Sequence, residues 1–286
     1  MNPLTYCKKS LPLYRHKLNA DATMAKLISA DISNNKLCIL EYTTTDGQML
    51  SFDEDAFDAK IVSHTYTDIG KVIFDKPITK IHDYAFYDCW RLTSITIPGS
   101  VTTIGESAFW KCSSLTSITI PNSVTTIGEA AFLFCESLTS VYINDIAAWC
   151  NISFSSAESN PIYHTGNLYL NNELVTDLTI PDSVTTIGNY AFRGCSSLTS
   201  VTIPDSVTSI GDWAFAYCDS LTSVTIGKGV SEIGTDAFKN CNINTIVCCP
   251  KVPPKLKNSF DKFENLIVPT GCEEAYANSD WGKYLE

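Results

Sequence analysis

One phrase recurs along this chain and limits what it can fold into: Leu92-Thr-Ser-Ile-Thr-Ile-Pro-Gly-Ser-Val-Thr-Thr-Ile-Gly-Glu-Ser-Ala-Phe-Trp-Lys-Cys112. It returns at 115–135, 198–218 and 221–241, so the period is 23 residues. A repeat of that length is one coil of a stack, whose apolar side is buried by the coils on either side. The expected class is an α/β repeat solenoid, a parallel β-solenoid of 23-residue coils with a cap at each end.

Each coil has a readable plan. Ile95-Thr-Ile97 alternates apolar and polar and predicts a short strand with one buried face. Pro98 ends it by withdrawing an N–H donor. Val101 and Ile104 turn inward, and Gly105 is expected to make a tight turn with φ above zero. Asp83, Glu106, Glu129, Asn189 and Asp212 follow that turn position and suit the start of a short helical turn. Phe86, Phe109 and Phe132 are expected to stack in the core.

One coil breaks the rhythm. Strand patterns are intact at Leu138, Val141, Ile143 and again at Val175, Leu178, Ile180, so 144–174 is an extended coil. It holds Ile146-Ala-Ala-Trp149, which reads as a helical turn, and a small hairpin with Asn171-Asn172 at its tip.

The chain divides into an N-terminal cap at 1–68, a solenoid at 69–249 and a C-terminal last strand and capping helix at 250–286. In the first part, 11–28 reads as a helix, and Asp46-Gly47 predicts a hairpin between 37–44 and 48–52. Ile69, Val72 and Phe74 take the places of Leu92, Ile95 and Ile97 and open the repeat. In the last part, Phe263, Leu266 and Val268 restore the strand, giving about nine coil strands. Thr270 and Glu273 form a capping-box pattern before a helix at 273–278, and Tyr276, Trp281 and Tyr284 are expected to close the stack.

Composition excludes several classes. Hydrophobic residues make up 44% and charged residues 18%, enough apolar material for a continuous core. The net charge of −11, with no basic patch, speaks against nucleic acid. No apolar run approaches the roughly 18 residues of a membrane helix. Lys8, Lys9, Arg15, His16 and Lys17 interrupt the N-terminus, so no leader peptide is read there. Of 12 cysteines, Cys89, Cys112 and Cys135 sit one period apart, as do Cys195, Cys218 and Cys241. A ladder of side chains pointing one way does not pair throughout, so these six are expected as buried free thiols.

The phrase Leu-x-x-Ile-x-Ile-Pro-x-Ser-Val-x-x-Ile-Gly-x-x-Ala-Phe-x-x-Cys resembles the 23-residue repeat of bacterial BspA-like leucine-rich repeat proteins, also called the Treponema-type class. The resemblance covers about 69–269, and the closing Ile267-Val-Pro-Thr-Gly-Cys-Glu-Glu-Ala-Tyr276 is similar to the usual end of such chains. It implies a curved leucine-rich-repeat solenoid and a place on the cell surface or outside the cell, with adhesion or binding as the role. The partner so implied is a protein or glycan, possible on a host surface or matrix. The family has no shared catalytic residues to carry over. A cytoplasmic location, with a regulatory or enzyme-associated scaffold role, is the alternative.

The residues themselves show no chemistry. His16, His64, His82 and His164 stand at no metal-ligand spacing, and phosphate loops and nucleophile elbows are absent, so no enzyme, cofactor or metal is expected. Cys248-Cys249 reads as structural, one in the core and one in the following turn. The outward strand column is Thr96, Thr119, Tyr142, Thr179, Thr202, Thr225, a hydroxyl ladder without a general base. Thr suits an exposed sheet for solubility alone. Tyr142 and Asp177 interrupt the ladders beside the long coil, and Trp149, Phe154 and Tyr163 lie within it. Insertions in repeat proteins often carry binding faces, so these five are the candidate partner-binding residues. The competing reading puts Trp149 and Phe154 in the wider coil's core. Trp110, Trp213 and Tyr190 form a possible second patch on the outer side.

Overall fold

The computed structural model describes residues 37–53 and 55–284. The expected helix at 11–28 lies outside them. The described chain is a parallel β-solenoid of about eight turns of roughly 23 residues, with little helix.

Each coil has three sides. The first is the strand Leu-x-x-Ile-x-Ile. Asp177–Thr179, Ser200–Ile203, Ser223–Ile226, Thr245–Cys248 and Asn265–Ile267 pair in parallel, one per coil. The register sets like on like: Val201 opposite Val224, Thr202 opposite Thr225, Ile203 opposite Ile226. Because the side-chain period of a strand is two, this register buries Val201, Val224, Ile203 and Ile226 and turns Thr202 and Thr225 outward, a column that ends in Val247 and the exposed Ile267. The second side is a two-residue ladder, seen at Thr103–Ile104 and Thr126–Ile127. The third is a run of turns carrying Ala-Phe and Cys. There the rings stack coil on coil, Phe86 on Phe109 at 5.0 Å and Phe109 on Phe132 at 5.2 Å, each pair within 4° of parallel.

The cysteine column is buried, and every described cysteine is a free thiol. The thiols have a partner the sequence did not suggest. Cys112, Cys135 and Cys218 each donate to the carbonyl of the phenylalanine 26 residues earlier, Phe86, Phe109 and Phe192, at 3.2 Å. Each of these carbonyls already accepts from the N–H of the cysteine of its own coil, at 3.1–3.2 Å, so the thiol of the next coil adds a weak second donor to its other lone pair.

Two details of the coil differ from expectation. The repeat glycine is not left-handed. Gly105, Gly128, Gly211 and Gly234 are absent from the positive-φ positions, which fall instead on Tyr84, Ser107, Ala130, Tyr190, Trp213 and Asp236. Glycine is needed there for proximity: a Cβ on Gly128 would lie 2.5 Å from the Glu106 nitrogen of the preceding coil. Nor does the polar residue after the glycine start a helical turn. Asp83, Asn189 and Asp212 accept instead from the backbone N–H one coil on, of Glu106, Asp212 and Thr235, at 2.9, 2.8 and 2.7 Å.

The N-terminal end is closed by antiparallel strands. Cys38–Thr44 pairs with Gly70–Phe74 on one side and Leu92–Thr96 on the other, and Ile61–Tyr66 covers Gly70–Phe74. Gly70–Phe74 is therefore not the first parallel rung, although Val72 and Phe74 are buried as expected. The Asp46-Gly47 turn does not close a hairpin: 48–53 forms no strand and crosses the end of the stack, with Leu50 N–H donating to Tyr42 Oη at 3.0 Å. The outermost strand, Ile61–Tyr66, has six residues and leaves Val62 exposed at the edge.

At the other end, Phe260 stacks on Phe238 at 4.9 Å and extends the ring column by one coil without an Ala-Phe pair. A helix at Glu273–Ala277 follows, capped by Cys272 with no side-chain hydrogen bond, so the Thr270 capping box does not form. Tyr276 Oη donates to Pro250 O, Trp281 Nε1 to Pro254 O and Tyr284 Oη to Phe260 O, at 2.8, 2.9 and 2.8 Å, closing the stack.

Candidate functional site

The long coil has its own rungs on the first two sides. Ser153–Phe154 pairs with Thr126–Ile127, and Leu168–Leu170 pairs with Ser140–Ile143. The helix Ile146–Cys150 precedes the first of these rungs, and the helix Ile162–Thr165 lies between the two. Asp145 caps the earlier helix, accepting from Ala147 and Ala148 N–H.

This coil has no phenylalanine in the ring column; Phe154 takes the ladder place of Ile127 on the second side, and Trp149 packs against it inside the coil. Their rings lie 5.4 Å apart, both are buried, and Trp149 Nε1 donates to Ala191 O at 2.7 Å. As partner-binding candidates these two are corrected: the space left by a wider coil must be filled, and large apolar rings fill it from inside. Asn160 Nδ2 bonds the same carbonyl at 3.1 Å.

The other three candidates reach the surface on different sides. Tyr142 lies on the strand face. It pairs with Thr119 on one side and with Tyr169 on the other, and the two tyrosine rings stack at 4.9 Å. Tyr169 is in turn opposite Leu174 in the hairpin whose tip is Asn171-Asn172, both left-handed at φ 51° and 70°. Tyr142, Tyr169 and the exposed Leu174 thus form an apolar stripe across a column that is threonine on either side. Tyr169 was not singled out from sequence because no repeat register assigns Leu168-Tyr-Leu to a strand. The opposite-strand partner of Tyr142 was the missing signal.

Asp177 is exposed beyond the hairpin. Ser200 Oγ donates to it at 2.6 Å and Thr199 Oγ1 at 3.2 Å. These hydroxyls, Ser200 first, hold its carboxyl below the ordinary carboxylate value.

Tyr163 lies on the third side, where two aromatic groups gather. Tyr87 stacks on Trp110 at 4.4 Å, and Trp110 meets the half-exposed Phe134 edge-on. Further along, Arg193 lies between Tyr163 and Tyr217, with Trp213 adjacent. Of the outer-side residues named from sequence, Trp110 and Trp213 belong to separate groups, and Tyr190 packs against the core.

Among the described residues, no group of three or more His, Cys, Asp or Glu side chains could hold a metal ion, and no helix is long and apolar enough to cross a membrane. The surfaces available are therefore faces with hydroxyls, rings and isolated charges.

The profile of the BspA type leucine rich repeat region matches in 6 copies over residues 60–169 and 150–267. None of the curated proteins matches the chain. Among solved structures, the Treponema pallidum leucine rich repeat protein is similar at 26% identity, covering 56% of this chain and 67% of that one, with a TM-score of 0.34. A leucine-rich repeat protein of Eubacterium ventriosum is 22% identical over 65% of this chain and 66% of its own, with a TM-score of 0.35. A leucine rich cell surface protein of Faecalibacterium prausnitzii is 20% identical over 82% and 94%, with a TM-score of 0.26. With the repeat profile matched from residue 60 to residue 267, the chain belongs to the BspA type leucine-rich repeat family.

Proposed function

We propose that the protein is a non-catalytic binding module that presents its strand face to a protein or glycan partner, in adhesion. The stacked Tyr142–Tyr169 pair carries this reading: it puts two rings and Leu174 on an exposed sheet whose other outward residues in that column are largely threonine. Rings give such a face a desolvated anchor, and the threonines give it hydrogen bonds without charge. Asp177, beyond the hairpin, supplies one fixed anion. The family resemblance supports a location on or outside the cell.

The test is to probe arrays of extracellular proteins and glycans with the wild-type chain and with the double variant Tyr142→Ser/Tyr169→Ser. Targets bound by the wild type should be lost with the double variant and kept by Trp110→Ser. Retention of every target by the double variant contradicts the reading.

A further inference from the structure

We propose that Arg193 is the centre of a second binding site, on the third side of the solenoid, and that its ligand is an Asp or Glu carboxylate on a partner protein. The site is assembled from three successive coils. Tyr163 comes from the helix Ile162–Thr165 of the long coil, Arg193 follows the core residue Phe192, and Trp213 and Tyr217 belong to the coil after. The guanidinium carbon lies 4.7 Å from the Tyr163 ring, 4.7 Å from Tyr217 and 5.8 Å from Trp213.

Three observations point to an anion. First, Arg193 Nε is buried with no hydrogen-bond acceptor. Second, none of the ion pairs among the described residues includes Arg193, whereas Arg91 pairs with Asp46 at 2.6 Å. The chain has 31 acidic residues, so a shortage of carboxylates does not explain why this arginine is outside every ion pair. Third, rings lie against the guanidinium, and a stacked guanidinium recognises ligands through its in-plane N–H groups. That fork matches a carboxylate held in the same plane.

The surroundings favour a protein over a sugar. Tyr163 and Tyr217 stack on the guanidinium, and Trp213 carries Lys239 at 5.1 Å as well as Arg193, so these ring faces are already engaged by cations. Arginine with tyrosine and tryptophan is also the composition of protein-interface centres. Lys239 already pairs with Asp236 at 3.4 Å and stands at the margin. This site shares no residue with the strand face, so either proposal can fail without the other.

The test uses the full chain and a fluorescently labelled octaglutamate peptide, with an octaglutamine peptide as its uncharged match, read by anisotropy at low salt. The chain's charge of −11 repels octaglutamate, so preference for it requires a local site. The wild type should bind octaglutamate about tenfold tighter than octaglutamine, Arg193→Gln should abolish that preference, and Arg193→Lys should keep only a minor part of it. Tyr142→Ser/Tyr169→Ser should leave it unchanged. Equal binding of the two peptides by the wild type, or full preference in a folded Arg193→Gln variant, overturns the proposal. Tighter, Arg193-dependent binding of an octagalacturonate oligosaccharide would overturn the assignment to a protein in favour of an acidic glycan.

Discussion

The indole N–H of Trp149 donates to the carbonyl oxygen of Ala191 at 2.7 Å, and this bond ties the long coil to the regular coil that follows it. The ring column stops at Phe132 and resumes at Phe192, and Trp149 is buried in the coil between these two stacked blocks, bonded to the second of them. In a solenoid, stability is a sum of coil terms and neighbour interfaces. Trp149→Ala should cost about 3–5 kcal/mol and split a single urea transition into two. Trp149→Phe should cost less and keep one transition. A single, unshifted transition for Trp149→Ala would contradict the tie between the coils.

Gly128 tests why the repeat needs glycine. A Cβ there would meet backbone atoms of Gly105 and Glu106 at 2.5–2.9 Å, and backbone cannot swing aside as a flexible side chain can. Gly128→Ala should destabilise by roughly 1–3 kcal/mol. The left-handed position Lys111, at φ 58°, should behave oppositely. Lys111→Gly should be neutral or stabilise by up to about 1 kcal/mol, because glycine accepts that conformation without strain. Thermal melting of the two variants decides between proximity and φ as the reason for the glycine column.

The thiols should be silent until the fold opens. Burial pushes the Cys135, Cys150, Cys195 and Cys248 thiols up to about 12 and raises Cys218 well above its ordinary value. Among the described cysteines, only Cys249 and Cys272 are partly exposed. Native protein at neutral pH should therefore label quickly with a thiol reagent at these two, apart from Cys7, which lies outside the described residues. Unfolding without reductant should release all 12. Substantially fewer titratable thiols would mean that the column is cross-linked.

Stability should fall in mild acid through His64. Its Nε2 lies 2.6 Å from Tyr42 Oη and its ring stacks on Phe52, and burial pushes its pKa down from 6.5 to about 4. The folded state thus keeps His64 neutral while the unfolded chain takes up a proton. Its contribution is fully present above pH 6.5 and is lost as pH falls from there towards 4. His64→Gln should flatten the melting temperature over that window, whatever its effect at neutral pH. An unchanged pH slope would show that other groups set it.

Much of this architecture was legible before any coordinate. Repetition made the strand, the Phe column and the cysteine column readable, because each identical residue must meet its own copy one coil away. What repetition does not constrain was read less well. The cap strand Cys38–Thr44 inserts antiparallel between Gly70–Phe74 and Leu92–Thr96, a long-range pairing with no local signal. The glycine and the polar residue after it were assigned to turn and helix chemistry, whereas both serve contacts between coils. Trp149 and Phe154 show the same limit at the candidate site: an aromatic in an insertion reads alike whether it faces solvent or fills a void. Tyr142 was visible as an interruption of threonines, but its partner Tyr169 needed the register of Leu168–Leu170.

In the proposed binding mode, partners meet the strand face at Tyr142 and Tyr169. Its most direct test places a photo-crosslinking phenylalanine analogue at position 142 or 169 and, as control, at the exposed Thr125 on the second side. With an array-identified partner present, irradiation should give a cross-linked adduct from 142 and 169 and none from 125. Adducts from 125 alone, with none from 142 or 169, would contradict it.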